Sequence, residues 1–291
     1  MGVLIEEKYI KWEKECEARF SLLKANEEEL NRIFIELYGL GGEIPPEVDD
    51  EHVSVTRALK SREIRSLLSY AVGCIFGRYS PDREGLCYAG GPWDGSCYRT
   101  VVPVENNIIT LSVTGTGSDI MFRLTDFVKN VYGVDVLMEN MSFIAGALER
   151  RGEPKDVISE YFQSGFYSDH LKTYRKRPIY WMVSSGEKKA FRALVYYHRY
   201  DPEVFAEAVM GAVSDRMRHC RREMEELEKT ERSTQAKLSV SKRLSLLGEQ
   251  MDELMVFSHR LERLSLDPVS LDAGMGIRYN YGLLSDVLER I

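Results

Sequence analysis

The spacing of apolar residues predicts one long helix at the start of the chain. Within residues 6–38 apolar side chains recur every three or four residues, which places them on one face of a helix. This face comprises Tyr9, Trp12, Cys16, Phe20, Leu23, Leu30, Ile33, Phe34 and Leu37. At about 1.5 Å per residue the helix would be about 50 Å long, too long to bury on one small domain. We therefore expect a long connecting helix, which forms a first domain (residues 1–40).

Residues 41–200 predict a mixed α and β core, because helical spacing alternates there with shorter runs of β type. Ser61 can cap a helix that continues to about Gly77. A strand is predicted over residues 108–113, and the turn Gly115-Thr116-Gly117 follows it, with Ser118 as the cap of the next helix. The further helices are predicted over residues 119–132, 134–150 and 154–162.

A β-hairpin is predicted within residues 172–199, which we call the basic segment. Residues 179–184 and 191–198 each alternate with a period of two, which is typical of strands, and Ser184-Ser185-Gly186 between them favours a turn. The segment contains one acid, Glu187, and eight basic residues. These are Lys172, Arg175, Lys176, Arg177, Lys188, Lys189, Arg192 and Arg199.

The last part of the chain (residues 201–291) predicts a helical hairpin. One apolar stripe with helical spacing lies within residues 205–227 and a second within 238–264, with polar Ser233-Thr234-Gln235 between them. Two helices of this kind favour an antiparallel coiled coil, and mixed charges on the other positions favour a solvated arm. Residues 281–291 predict a short closing helix. The expected fold is therefore α+β and mainly α.

Composition narrows the class of protein. The hydrophobic fraction of 44% is typical of a globular chain with a real core, and the sequence contains no apolar run of 18 residues that would predict a membrane span. The acidic pair Glu6-Glu7 lies where a signal peptide would be basic and apolar. Five scattered cysteines favour reduced thiols. We therefore expect a cytoplasmic protein without a membrane partner.

The charge distribution suggests a local contact with nucleic acid. The whole chain has a formal charge of −7 and the basic segment contributes +7, so the remaining residues carry −14. Cations beside aromatic rings suit a phosphate backbone and unpaired bases. The candidate phosphate contacts are Arg175, Lys176, Arg177, Lys188, Lys189 and Arg192, with Tyr180 and Trp181 as candidate aromatic contacts. The alternative is that the rings are core residues and the cations pair with nearby acids.

The sequence offers no convincing catalytic or metal site. Cys87 and Cys97 lack the paired spacing of zinc ligands. Gly115-Thr116-Gly117 lacks the third glycine and the acidic partner of a dinucleotide loop. A loop rich in glycine and proline, residues 79–95, could contact DNA through Arg83, Tyr88 and Trp93, or it could be a structural loop anchored by Trp93.

Four stretches of the sequence resemble one family in the same order. RKRPIYWMVSSGEKKAFRALVYYHRY, which begins at Arg175, is similar to the C-terminal region of the adenine-specific DNA methyltransferases of BREX phage-defence systems (the PglX type). LNRIFIELYGL from Leu30, LLSYAVGCIFGRYSPDREGLCYAGG from Leu67 and NYGLLSDVLERI from Asn280 resemble further blocks. The block that begins at Leu67 also contains much of the loop of residues 79–95. The block that begins at Leu30 also resembles fused restriction–modification enzymes.

The resemblance implies a non-catalytic C-terminal module, because the family's Asn-Pro-Pro-Tyr/Phe motif does not occur in this sequence. It implies that S-adenosylmethionine binds in the catalytic domain of full-length relatives and that no cofactor binds here. It also implies double-stranded DNA, other phage-defence proteins or the catalytic domain as partners. The alternative function is a protein-interaction scaffold with a coiled-coil arm and no contact with nucleic acid.

Overall fold

The computed structural model describes residues 2–112, 119–229 and 234–291, with side chains from residue 238 onward in the last range. The fold is mainly helical with a small antiparallel sheet, which confirms the predicted class. The helices are α1 (Ile5–Tyr38), α2 (Lys60–Phe76), α3 (Ile120–Tyr132), α4 (Leu137–Ala147), α5 (Pro154–Ser164), α6 (Phe166–Thr173), α7 (Pro202–Lys229), α8 (Thr234–Leu266) and α9 (Gly276–Leu283). The strands are β1 (Ile108–Thr110), β2 (Tyr180–Ser184) and β3 (Arg192–Tyr196). The predicted turn at 115–117 and its cap Ser118 lie outside the described residues.

The long helix α1 is present as predicted, but its buried residues are only Ile5, Cys16 and Phe20, all in its first half. It ends at Gly39, whose φ of 66° is in the left-handed region that suits glycine after a helix. Cys16 and Phe20 pack inward. Beyond them the apolar face is open to solvent, so Ile33 and Leu37 are 51% and 71% exposed. The α1 face from Leu30 onward therefore has no partner among the described residues.

Helices α2 to α6 form the first hydrophobic core on one side of the sheet. The structure corrects the sequence-based elements here in two ways. Helix α6 was not among the predicted helices, and Ser61 is not a cap, because α2 starts one residue earlier and its N-cap is Leu59. Asp119 caps α3 by accepting a hydrogen bond from the Phe122 amide at 3.0 Å.

The predicted β-hairpin is present, and a third strand joins it. The strand order is β1-β3-β2 and both pairings are antiparallel, with Trp181 opposite Val195 and Ile108 opposite the same residue on the other side. Alternate residues of the strands contribute to two different cores, with Tyr180 and Leu194 in the first and Trp181 and Val195 in the second. The sheet is therefore buried on both faces.

Helices α7 and α8 provide the second cover of the sheet. They run antiparallel, since Arg243 pairs with Glu223 at 2.6 Å and Arg216 donates to Gln250 at 3.2 Å. Buried apolar residues of both helices belong to the same core as Trp181 and Phe191 of the hairpin, so this part of the pair is not the free solvated arm that was expected. Coiled-coil packing between them stays a prediction, as do the domain boundaries at residues 40 and 200.

The chain ends against the outer edge of β2. The closing helix was predicted over residues 281–291, but α9 ends at Leu283 and a turn follows it. The Ser184 amide donates to the Val287 carbonyl at 3.0 Å, and the Glu289 amide donates to the Met182 carbonyl at 2.8 Å. These bonds satisfy backbone groups of a strand that would otherwise be an open edge.

Candidate nucleic-acid interface

The two aromatic residues proposed as nucleic-acid contacts lie in the core. Tyr180 is 1% exposed, and its ring stacks on Phe76 and His170 at centroid distances of 5.4 and 4.8 Å. Trp181 is fully buried, and its indole N–H donates to the Pro178 carbonyl at 3.1 Å. Neither ring offers a face to a base, because stacking needs an accessible π surface. The structure therefore corrects the assignment of Tyr180 and Trp181.

Arg192 is also a structural residue. It is 7% exposed, and its guanidinium forms a salt bridge with Glu289 at 2.6 Å and a second hydrogen bond to the Gln163 carbonyl. Glu289 belongs to the terminal segment that pairs with β2. A charge held in this way fastens the end of the chain to the sheet and is not available to a phosphate, which corrects its assignment as a DNA contact.

Acidic residues of α8 surround the tip of the hairpin, residues 185–191. Lys188 forms a salt bridge with Glu249, which raises the pKa of the lysine. Glu253 accepts hydrogen bonds from the Lys188 and Ala190 amides at 2.7 and 3.0 Å and from the Ser185 hydroxyl at 2.7 Å. The neighbouring Lys189 is exposed. The tip is consequently less cationic than its sequence indicates.

Arg175, Lys176 and Arg177 form an exposed group, which we call the basic loop. The loop connects α6 to the segment that leads into β2. Within the ranges that the structure describes, none of the three side chains has an ion pair or hydrogen-bond partner. Three adjacent cations are thus free to reach a polyanion.

The backbone of the basic loop is ordered although its side chains are free. Arg175 and Lys176 have positive φ angles of 50° and 57°. Their amides donate to the carbonyls of Lys172 and Leu171 at 3.2 and 2.8 Å, and the Arg177 amide donates to Tyr174 at 2.9 Å. These bonds end α6 and hold the three cations on one short turn. A prearranged group loses less conformational freedom when it binds.

His170 supports the basic loop from the core, and the sequence analysis did not detect it. Its Nε2 accepts hydrogen bonds from the Ile179 and Tyr180 amides, both at 3.1 Å, so α6 is tied to the start of β2. Burial, and to a smaller extent Arg78, lowers the pKa of His170 to about 3. The ring is therefore neutral near pH 7, as an acceptor at Nε2 requires. No sequence motif signals such a role for a single histidine.

The loop of residues 79–95 is anchored as a structural loop. Trp93 packs against Tyr98 and Tyr88 at centroid distances of 4.8 and 5.0 Å, and the Arg199 guanidinium lies 4.6 Å above its ring. Arg83 bonds to the Cys97 sulfur at 3.1 Å and lies 3.9 Å from Asp94. These contacts favour the structural interpretation over a DNA contact.

The described residues contain no cluster of three or more histidine, cysteine or carboxylate side chains able to hold a metal ion. All five cysteines are free thiols. In the same ranges of the chain, every helix is too short or too polar to cross a membrane.

Comparisons with known proteins define the class to which this region is related. No protein-family model matches the chain. Two curated relatives are adenine-specific methyltransferases, which confirms the resemblance carried by the four sequence blocks.

The first relative is the adenine-specific methyltransferase PglX of Lacticaseibacillus casei (strain Zhang), 39% identical over 95% of this chain. The second is the adenine-specific methyltransferase BrxX of Escherichia coli O9:H4 (strain HS), 34% identical over 80% of the chain. The matched regions are only 24% and 21% of those relatives. The chain thus spans less than a quarter of the length of the methyltransferases it matches, which is consistent with the expected C-terminal region.

Proposed function

We propose that this chain is a non-catalytic C-terminal module that holds DNA for an adenine-specific methyltransferase of a phage-defence system. The observation that carries the proposal is the basic loop: Arg175, Lys176 and Arg177 are adjacent, exposed and unpaired among the described residues, on a chain of formal charge −7. Localised cations on an acidic protein favour one oriented contact with a polyanion over general coating.

The contact would be made to phosphates of the duplex. Arginine and lysine side chains neutralise phosphate charge and release counterions, which gives affinity without reading the base sequence. The module would position the duplex while the catalytic domain of the full-length enzyme binds S-adenosylmethionine and the target adenine. Because His170 and the turn hydrogen bonds fix the loop, the position of the duplex would be fixed with it.

The test removes the three charges and keeps the backbone. In the triple variant Arg175→Asn, Lys176→Asn, Arg177→Gln, asparagine tolerates the positive φ at the first two positions. We expect the affinity for a random duplex at low salt to fall about tenfold or more, equally for all sequences. The slope of log K against log salt should fall by about 2 to 3, as expected for loss of three phosphate contacts.

The matched control removes three charges from another surface. Lys8→Gln, Lys11→Gln, Lys14→Gln changes three exposed lysines of α1 and should leave the affinity close to that of the unmodified chain. An identical loss in both triple variants would mean that only net charge matters. Unchanged binding in the loop variant would remove the loop as a DNA contact.

A protein-interaction scaffold is the second candidate, and the open apolar face of α1 favours it. Leu30, Phe34 and Leu37 are 54%, 52% and 71% exposed, which is unusual for large apolar side chains on one helix face. The duplex titration described above, together with a measurement of self-association, separates the two functions. Self-association or capture of the catalytic portion of the enzyme, without any duplex binding, would support the scaffold and oppose DNA positioning.

A further inference from the structure

A cavity of about 470 Å³ lies between α2 and α6, and the sequence analysis did not detect it. Basic side chains and hydroxyl groups dominate its polar lining, including Arg62, Arg65, Lys172, Ser66 and Ser69. Asp169 is the one carboxylate among the residues that line the described cavity. Guanidinium, ammonium and hydroxyl groups together form a donor set that suits a phosphate group.

Two buried donors at this cavity have no partner within the part of the chain that the structure describes. They are Nε of Arg65 and Nδ1 of His170. Since Nε2 of His170 accepts two backbone amides, the neutral ring carries its proton on Nδ1, which is thus a donor. A buried donor without an acceptor carries an energetic cost. An acceptor oxygen of a ligand would remove that cost.

The beginning of α2 adds further donors at the same place. Its N-cap, Leu59, has no side chain that can accept from the first-turn amides, and both Leu59 and Ser61 line the cavity. The first amides of a helix are unpaired and carry a partial positive charge. An anion near them is therefore stabilised by the helix dipole as well as by the side chains.

The acids near the cavity do not cancel this preference. Asp169 accepts from the Tyr161 hydroxyl at 3.1 Å and lies 3.4 Å from Arg65. Glu63 pairs with Arg62 at 2.8 Å. Lys172 is exposed and has no ion pair in the described ranges, so one positive charge remains after both acids are counted.

The cavity is larger than a bare phosphate needs, and its volume suits a mononucleotide. Pockets for small ligands commonly enclose about 300 to 1,000 Å³. Leu59, Tyr161 and Phe166 contribute an apolar part to the lining, which would contact a sugar or base. Lys172 and Thr173 of the lining are followed directly by the turn that carries the basic loop.

We propose that the cavity between α2 and α6 binds one nucleotide through its phosphate, with Arg65, Lys172 and His170 Nδ1 as donors. The phosphate has two possible sources, a free nucleotide or one nucleotide of a DNA strand that also touches the basic loop. The inference goes beyond DNA positioning, because the free-nucleotide source requires no DNA contact.

Binding of AMP to the whole chain is measured by calorimetry, and duplex affinity is measured in parallel. Arg65→Gln and Lys172→Gln are compared with Lys155→Gln, a change of a basic residue outside the lining. A free-nucleotide site predicts AMP binding that weakens about tenfold or more in each lining variant. A DNA-strand site predicts no AMP binding but a similar loss of duplex affinity in both lining variants. Lys155→Gln should match the unmodified chain in every case.

Absence of AMP binding together with unchanged duplex affinity in both lining variants would overturn the inference. Because Lys172 is exposed, Lys172→Gln tests the site even if Arg65→Gln fails to fold, and thermal unfolding of each variant identifies that failure. The triple variant of the basic loop separates this result from the proposed function. Loss of duplex binding in that variant alone would support the loop and oppose the cavity as a DNA-strand site, and AMP binding then decides the free-nucleotide site.

Discussion

At the scale of single residues, the same chemical type has different roles within a few positions. Arg192 is buried and paired with Glu289, whereas Arg177 is exposed and unpaired among the described residues. The first stabilises the fold, because a buried guanidinium must keep its partner. Only Arg177 can exchange its contacts with solvent for contacts with a phosphate. Mutations in the basic segment therefore have to be interpreted residue by residue.

His170 makes the stability of the fold depend on pH. Its pKa is about 3 in the folded chain and about 6.5 in an unfolded chain. Between these values the unfolded chain binds a proton there that the folded chain does not. The free energy of unfolding should thus fall as the pH decreases below about 6.5, with a contribution of up to about 1.4 kcal/mol per pH unit from this residue.

The variant His170→Gln isolates this contribution. The glutamine amide oxygen can accept from the same backbone amides but does not titrate, so we expect a smaller loss of stability between pH 6.5 and 4. Stability at pH 7 should be lower, because the ring that stacks on Tyr180 is lost. Urea unfolding at each pH measures both. His259→Gln, at an exposed histidine of α8, is the control and should keep the slope of the unmodified chain. If the slope of stability against pH is unchanged in His170→Gln, His170 is not the group that makes stability depend on pH.

At the scale of elements, α8 organises the hairpin tip by its side chains. Glu253 accepts three hydrogen bonds from residues 185–190, so the tip depends on a distant helix as well as on its own turn, which the Lys189 amide closes by donating to the Gly186 carbonyl at 3.1 Å. The two strands themselves are covered by α2 to α6 on one face and by α7 and α8 on the other. The hairpin is an internal element of the fold with a braced tip.

Removal of Glu253 should loosen this tip. We expect Glu253→Ala to destabilise the chain by about 2 to 3 kcal/mol, because two amides and a hydroxyl lose a charged acceptor. Amide hydrogen exchange should accelerate most at residues 185–190, which mass spectrometry can resolve. Asp252→Ala, an exposed neighbour on α8, should change neither quantity. Uniform exchange changes across the chain would argue against a local bracing role.

At the scale of the whole molecule, net charge and local charge oppose each other. The acidic chain repels a polyanion at a distance, so the proposed duplex contact is expected at a local concentration of exposed cations such as the basic loop and Lys172. The matched region is 24% of PglX, so in a relative of that length the proposed contact would occupy only a small part of the protein.

In a full-length methyltransferase that contains this region, the loop triple variant should therefore affect substrate binding more than chemistry. We expect KM for DNA to rise about tenfold while kcat changes little, the pattern for loss of binding energy that is equal in ground and transition states. Steady-state methylation of a duplex substrate measures both. A fall in kcat without a change in KM would place the loop in the chemical step and contradict a positioning role.

Some of the fold was predictable because it depends on local pattern. The three- and four-residue spacing of α1, the stop at Gly39 and the alternation of β2 and β3 are encoded by neighbouring residues. The sequence also contains a signal that the hairpin is buried. Residues 179–183 are continuously apolar or aromatic, which is typical of a strand buried on both faces. That pattern could have placed Tyr180 and Trp181 in the core.

The candidate sites depended on distant residues and could not be predicted in the same way. Lys188 meets Glu249, and Arg192 meets Glu289 across 97 positions of sequence. The cavity likewise joins α2 to α6, about a hundred residues later. These contacts join residues that are far apart in sequence, so no local spacing pattern predicts them.

The sequence by itself determined the principal secondary-structure elements, the acidic balance and the concentration of cations in residues 172–199, because each is a property of neighbouring residues. Only the tertiary structure decided which of those cations stay free. Packing of α8 and of the terminal segment brought carboxylates to Lys188 and Arg192, and left Arg175, Lys176 and Arg177 on an exposed turn. The physical reason is that a charge is neutralised by proximity in space, which the fold establishes.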